Sequence, residues 1–227
     1  MEYGECCKSL GNYNKEKKGV GMRALTKTLL SLGASSVVAI SGGYLVGPYE
    51  GKRNTAYLDM VGIPTVCWGQ TKGVKLGQYF TDEQCDKKLA EELTTYNRQM
   101  MSYVKRDIPD NMEIAFTSFV WNVGIGAWKN STALKKVNEG DFSGACSQLL
   151  RWNKATFTSN AARKAQEARG EVCTALQGGR WSCTVKGLTN RREAEYKVCM
   201  GNNPDVTEAI TKLNKEGWKN IALDIGE

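Results

Sequence analysis

Between Thr28 and Tyr49 the chain carries no charged side chain, and this stretch limits what the rest can fold into. Its apolar part, Leu29 to Val46, is about long enough to cross a bilayer as a helix. Arg23 and Lys27 precede it, with Lys15, Lys17 and Lys18 further back, the charge layout of an export signal. For a permanent anchor the composition is thin: Gly33, Ala34, Ser35, Ser36, Ala39, Ser41, Gly42, Gly43 and Gly47 dilute the hydrophobes. Such a helix gains little from lipid and can leave it. Three readings compete: a signal peptide cleaved near Ala39 and Ser41, a releasable anchor, or a buried helix of a soluble protein. The releasable anchor is favoured, because a candidate catalytic carboxylate, Glu50, lies just past Val46 and cleavage at Ser41 would leave little chain before it.

Residues 1–21 are polar, Lys-rich and Gly-rich and are expected to be disordered. Met22 is a candidate natural start, since residues 17–21 can be encoded by a purine-rich stretch resembling a ribosome-binding site. The expected organisation is therefore an extension (1–21), an apolar export segment (22–47), a main domain (48–200) and an amphipathic tail (201–227).

The pattern predicts an α+β class. Residues 55–71 hold β-branched and aromatic residues around Gly62-Ile63-Pro64, a hairpin signal. Asp59 and Thr65 are equidistant from Gly62, so a five-residue loop would set them opposite each other. Thr81 then opens a helix as N-cap, with Gln84 at the capping-box position, and Leu89, Leu93, Tyr96 and Met100 follow at helical spacing. Ile114, Phe116, Phe119 and Val120 read as a buried helix ending near Gly124 and Gly126. Residues 131–137 and 141–152 read as two more helices. Residues 153–186 show a helical middle, a Gly-Gly turn and a loop that Cys173 and Cys183 can clip. Residues 204–217 read as a short helix whose apolar edge, Val206, Ile210 and Leu213, packs on the body.

The net charge of +7 favours a polyanionic partner, but no run of cations interleaved with aromatics marks a nucleic-acid footprint. The sequence has no histidine, which removes Ser-His and Cys-His catalysis and most zinc sites. Acid–base chemistry then falls to carboxylates with tuned proton affinity. Beyond the adjacent Cys6 and Cys7, the cysteines at 67, 85, 146, 173, 183 and 199 show no metal or redox spacing. After an export-like segment they read as disulfides formed outside the cytoplasm, against free buried thiols as the plain alternative. No metal site and no organic cofactor is indicated.

Glu50, Asp59 and Thr65 follow one another at a spacing that suits a glycosidase: one carboxyl to protonate the leaving oxygen, another to activate water, and a hydroxyl to hold that water. Alone, this pattern is weak. Its surroundings resemble the phage lysozyme family, the endolysins related to T-even phage lysozyme and lambdoid phage endolysins. The matching residues are Glu50-Gly51, Tyr57-Leu58-Asp59, Gly62, Thr65-Val66-Cys67-Trp68-Gly69 and Thr71. They continue with Phe119-Val120-Trp121-Asn122-Val123-Gly124, Ser131-Thr132, Ala145-Cys146, Leu149, Arg151-Trp152, Gly187-Leu188 and Arg191-Arg192-Glu193. Order and rough spacing hold from about residue 48 to 200, apart from an insertion near 154–184.

The resemblance implies a lysozyme-like fold with a β-hairpin lobe, a mainly helical lobe and a cleft between them. It also implies hydrolysis of the β-1,4 bond between N-acetylmuramic acid and N-acetylglucosamine in peptidoglycan, leading to host lysis by a monomer. Glu50 is then the general acid, Asp59 the second carboxylate, and Thr65 positions water, an arrangement read as inverting. Gln70 stands where the family often has His, which puts hydrogen bonding around the substrate in doubt rather than the chemistry. Asn122 and Gly124 are expected on the floor of the cleft, although a turn requirement explains the Gly as well. Arg192 is expected to hold the hairpin lobe or Glu50, with a surface salt bridge as the alternative. Trp68 and Trp152 suit sugar stacking or, more plainly, core packing. Exported members of the family with a weakly hydrophobic N-terminal segment stay tethered and inactive until released. Here that implies a periplasmic enzyme first held at the inner membrane by residues 25–47. Of the many pairings open to the six dispersed cysteines, Cys67–Cys85, Cys146–Cys199 and Cys173–Cys183 are favoured.

Three other functions compete. A lytic transglycosylase would need the acid but not Asp59 and Thr65. A cell-wall-binding protein without turnover leaves the intact trio unexplained. A membrane-permeabilising protein is suggested by the apolar segment alone, and the large remainder argues against it.

Overall fold

The computed structural model describes residues 24–59 and 63–221, and side chains as far as Lys215. The extension 1–21, the start at Met22 and the turn residue Gly62 lie outside the described residues. The chain divides into two compact units, one formed by the chain up to Arg98 together with the stretch from Pro204, the other by Gln99–Asn203.

In the first unit the uncharged stretch does not form one continuous helix. Residues 24–31 form α1, a turn follows with Gly33 at φ 87°, and α2 (Ser36–Ile40) starts on Ser35, whose hydroxyl accepts from the Val38 N–H. Only glycine takes that left-handed turn without steric cost. From Ser41 to Val46 the helix widens to π geometry, closed by the Gly47 N–H on the Gly42 carbonyl. Among the described residues no helix is long and apolar enough to cross a membrane.

Leu29, Val38, Ala39, Ile40, Leu45 and Val46 instead fill the core of this unit. The glycines permit it. A Cβ on Gly42 would lie 2.3 Å from Leu29 Cδ1 and 3.1 Å from Leu93 Cδ1, and one on Gly47 would lie 2.6 Å from Leu25 Cδ2. The residues that thin the segment for lipid are thus the ones that let its helices pack closely. The C-terminal helix α10 (Pro204–Ile221) packs on α2, with Val206 buried.

The hairpin follows directly. β1 (Arg53–Leu58) and β2 (Pro64–Cys67) pair antiparallel, with Tyr57 opposite Thr65 and Leu58 opposite Pro64. Thr65 therefore does not face Asp59, as equal spacing from Gly62 had suggested. The Asp59 N–H bonds the Ile63 carbonyl, which closes the loop two residues tighter on the β2 side. On its other edge β1 is covered by residues 77–80, through bonds between Ala56 and Gln78, Gly77 and Ala56, and Phe80 and Asn54. Thr81 and Gln84 form the reciprocal capping box of α3 (Asp82–Met101). The Cys67–Cys85 disulfide ties β2 to the first turn of that helix.

The second unit is built on α4 (Asp110–Val123) and α9 (Lys186–Cys199), which pack together, with α5 (Ile125–Lys129), α6 (Thr132–Glu139) and α7 (Phe142–Leu149) around them. Phe116, Phe119 and Trp128 are fully buried, and the Trp128 indole N–H donates to the Met100 carbonyl. Ser131 and Asp141 cap α6 and α7. The helix expected to reach Trp152 stops at Leu149. Cys146–Cys199 joins α7 to the end of α9. Residues 154–184 are more than a clipped loop: β3 (Lys154–Phe157), β4 (Cys173–Leu176) and β5 (Arg180–Thr184) form a sheet in the order β3-β5-β4, with α8 (Asn160–Glu167) packed on it. Strands this short carry too few alternations to show in the sequence.

Between α4 and α9 lies a wholly buried polar cluster. Glu195 accepts from the Ser118 hydroxyl at 2.7 Å and from Arg192 and Arg191 at 3.1 and 3.4 Å. Burial pushes its carboxyl above the usual range, while Arg192 and Arg191 pull it back. Removing one member leaves the others charged in the core. Glu195→Ala is expected to cost about 3–5 kcal/mol in urea denaturation, and Gly42→Val about 1–3 kcal/mol through overpacking against Leu29.

Candidate active site

Glu50 takes its place from the end of the apolar segment. The Val46 carbonyl accepts the N–H groups of both Tyr49 (3.0 Å) and Glu50 (3.1 Å), and Val46 itself has no exposed surface. On the other side is the tight turn after β2. Val66 and Gln70 exchange backbone bonds of 2.9 Å, and Gly69 sits at φ 100° between them. The positive φ calls for glycine here, and a Cβ on Gly69 would lie 3.4 Å from Glu50 Oε2, so the carboxylate rests against the turn.

The turn is held from three directions. Cys67 takes a left-handed φ of 57°, unusual for a residue with a side chain, and is bonded to Cys85. The buried Gln70 side chain accepts the Trp68 N–H at 2.8 Å. The Trp68 indole N–H donates to Asp86 Oδ1 at 2.9 Å. Glu92, also on α3, is half-buried, and that burial raises its carboxyl above the usual range against the pull of Lys88.

Asp59 and Thr65 meet at one residue. Asp59 Oδ1 accepts the Ile63 N–H at 2.9 Å, and the Thr65 hydroxyl donates to the Ile63 carbonyl at 3.0 Å. Thr65 is opposite Tyr57, and Asp59 follows Tyr57 by two, so the alternation of the strand puts Asp59 and Thr65 diagonally on one face.

A cation sits beside this framework. Lys52 Nζ lies 3.3 Å from Asp82 Oδ1 and 3.6 Å from Asp86 Oδ1, and 5.3 Å from the centre of the Trp68 ring. Asn54 donates to Asp82 at 2.7 Å, and this bond, then Lys52, holds the Asp82 carboxyl below its ordinary range.

The remaining expected residues belong to the second unit. Arg192 is fully buried, so the surface salt bridge is excluded. Its Nη2 donates to Asn122 Oδ1 at 3.0 Å, while Asn122 itself is exposed at the end of α4. Gly124 ends that helix at φ 82°. Trp68 is buried, and Trp152 is partly exposed with its edge against Phe119. The structure thus gathers Glu50, Asp59, Thr65 and Gln70 around the hairpin of the first unit, and Asn122, Gly124 and Arg192 around α4 and α9 of the second.

A model described as phage lysozyme matches residues 47–195, which spans both groups of residues. The chain belongs to the phage lysozyme family. Within that family, it is 36% identical over 183 residues to a SAR-endolysin of bacteriophage PS119, covering 78% of this chain and 95% of the relative. It is 35% identical to a SAR-endolysin of enterobacteria phage P21, covering 78% and 96%. The crystal structure of the active form of the P1 phage endolysin Lyz shares its fold, with a TM-score of 0.61 at 21% identity, covering 79% of this chain and 93% of that one.

As a phage lysozyme the chain is a hydrolase of the peptidoglycan-lysing class. Two parts of its architecture were missed in the sequence. Glu195 escaped because a carboxylate on a polar helix looks solvated until its helix is packed. Lys52, Asp82 and Asp86 escaped because their pairing joins the residue before β1 to the start of α3, some thirty residues on, a contact that no local pattern shows. Lys52→Met is expected to slow clearing of a cell-wall suspension about tenfold by loosening the Glu50 and Trp68 backbones, with Lys52→Arg retaining most of the rate.

Proposed function

We propose that this lysozyme hydrolyses the β-1,4 bond between N-acetylmuramic acid and N-acetylglucosamine, with Glu50 as general acid. The Glu50 carboxyl gives its proton to the bridging oxygen as the bond from that oxygen to the anomeric carbon breaks. Water adds to that carbon from the opposite face and gives up a proton to Asp59, while Thr65 orients the water. The observation that carries this reading is the setting of the Glu50 carboxylate. It lies against Gly69, on a backbone fixed by Val46, and the same hairpin presents Asp59 and Thr65 on one face.

The apolar segment supplies the second half of the proposal. Its uncharged length, its preceding cations and its likeness to SAR-endolysins support export through it and a period at the inner membrane before release to the periplasm. In the membrane-held state the segment is straight, so Leu29, Leu45 and Val46 do not form the core on which Glu50 rests. An inner-membrane fraction with full muramidase activity would contradict this half.

Glu50→Gln is expected to lower the initial rate of peptidoglycan clearing about a thousandfold. Mass spectrometry of the wild-type digest is expected to show reducing muramic ends. Anhydro-muramic ends would instead establish a transglycosylase and leave Asp59 and Thr65 without their roles.

A further inference from the structure

The inserted sheet, residues 154–184, takes no part in the chemistry above, and its two faces differ sharply. One face carries Ala155, Phe157, Trp181 and Cys183 by register, and α8 packs on it, with the Arg163 guanidinium 5.4 Å from the Trp181 ring centre. The other face is open. Thr156, Ser182 and Thr174 stand in line across the three strands, so a row of hydroxyls runs roughly 10 Å across the sheet. Lys154, opposite Thr184, stands toward one end of this face and Arg180, opposite the exposed Leu176, toward the other; both cations are exposed. Neither has a carboxylate partner among the described residues. The two acids of the insertion are already engaged: Glu167 by Arg163 at 2.8 Å, and Glu171 by the Thr184 hydroxyl at 2.8 Å and the Lys186 N–H at 2.7 Å. The Cys173–Cys183 disulfide locks β4 to β5, so the row is set before any ligand arrives.

We propose that this open face is a second wall-binding surface that takes the carboxylates of peptidoglycan stem peptides. The complementarity is one of charge and hydrogen bonding. Two uncompensated cations attract the free carboxylates of the stems, and the hydroxyls between them donate to carboxylate and amide oxygens. A narrow row of hydroxyls between two cations suits an extended acidic peptide better than it suits a broad apolar protein partner. The surface holds the enzyme on insoluble wall between cleavages. This inference rests on peptidoglycan being the substrate, and it does not depend on which residues catalyse.

The test is co-sedimentation of the full chain with purified sacculi, read on ice within the first minute, before cleavage is measurable. Lys154→Glu with Arg180→Glu is expected to weaken binding about fivefold, while its turnover of short soluble glycan fragments stays at the wild-type value. Sacculi whose carboxylates have been amidated by carbodiimide coupling are expected to bind the wild type as weakly as native sacculi bind the variant. That arm needs no variant to fold. Undiminished binding of the wild type to amidated sacculi, or of the folded variant to native sacculi, overturns the proposal. Loss of turnover in Glu50→Gln with unchanged binding separates this surface from the catalytic reading.

Discussion

Everything in the first unit turns on the burial of one uncharged stretch. A proton donor works only if its oxygen is held within a fraction of an ångström of the atom it serves. Here the backbone of Glu50, the proposed donor, hangs from the Val46 carbonyl, and Val46 is held because Leu29, Ile40 and Leu45 are buried with it. Each such side chain contributes roughly 1.5–3 kcal/mol on leaving water. The segment can therefore be drawn into a folded core as readily as into lipid, and its glycines tip the balance. They lower its gain from a bilayer while allowing contacts with Leu29 and Leu25 that any larger residue would block.

Opposite Glu50, rigidity comes from a different set of forces. The turn from Val66 to Gln70 is left-handed at both Cys67 and Gly69, a conformation the chain would not keep unaided. The Cys67–Cys85 disulfide and the Trp68 indole hold it to α3, the Gln70 side-chain amide braces it from within, and Lys52, paired with Asp82 and Asp86, lies over the Trp68 ring. Gln70 matters here because its side-chain oxygen takes a backbone N–H within the turn, so its part in the turn needs no charge. The absence of histidine from the whole chain is compatible with this arrangement.

Much of this was legible in the sequence where local rules govern. The capping box at Thr81 and Gln84, the hairpin and the tail helix follow from residue type and spacing. The uncharged stretch read as one span because hydropathy does not show that Gly33 turns left-handed and breaks it. The register between Asp59 and Thr65 was two residues out because it depends on how the loop closes on Ile63, not on symmetry about Gly62. The strands of residues 154–184 stayed hidden because four or five residues offer only about two alternations, and β3 finds its partner β5 more than twenty residues further on. Arg192 was placed among the site residues by likeness, but its burial with Glu195 depends on how α9 packs on α4, which no pattern within α9 reveals.

The central claim is that the apolar segment is structural for Glu50 once it has folded into the first unit. The direct measurement is the rate of sacculus digestion by the full chain beside a chain that begins at Gly47, with the helical content of each followed by circular dichroism. The account predicts that the shortened chain keeps the helices of the second unit and loses at least about a hundredfold in rate. A shortened chain that digests sacculi as fast as the full one would show that Glu50 finds its place without the buried segment, and the account would be wrong.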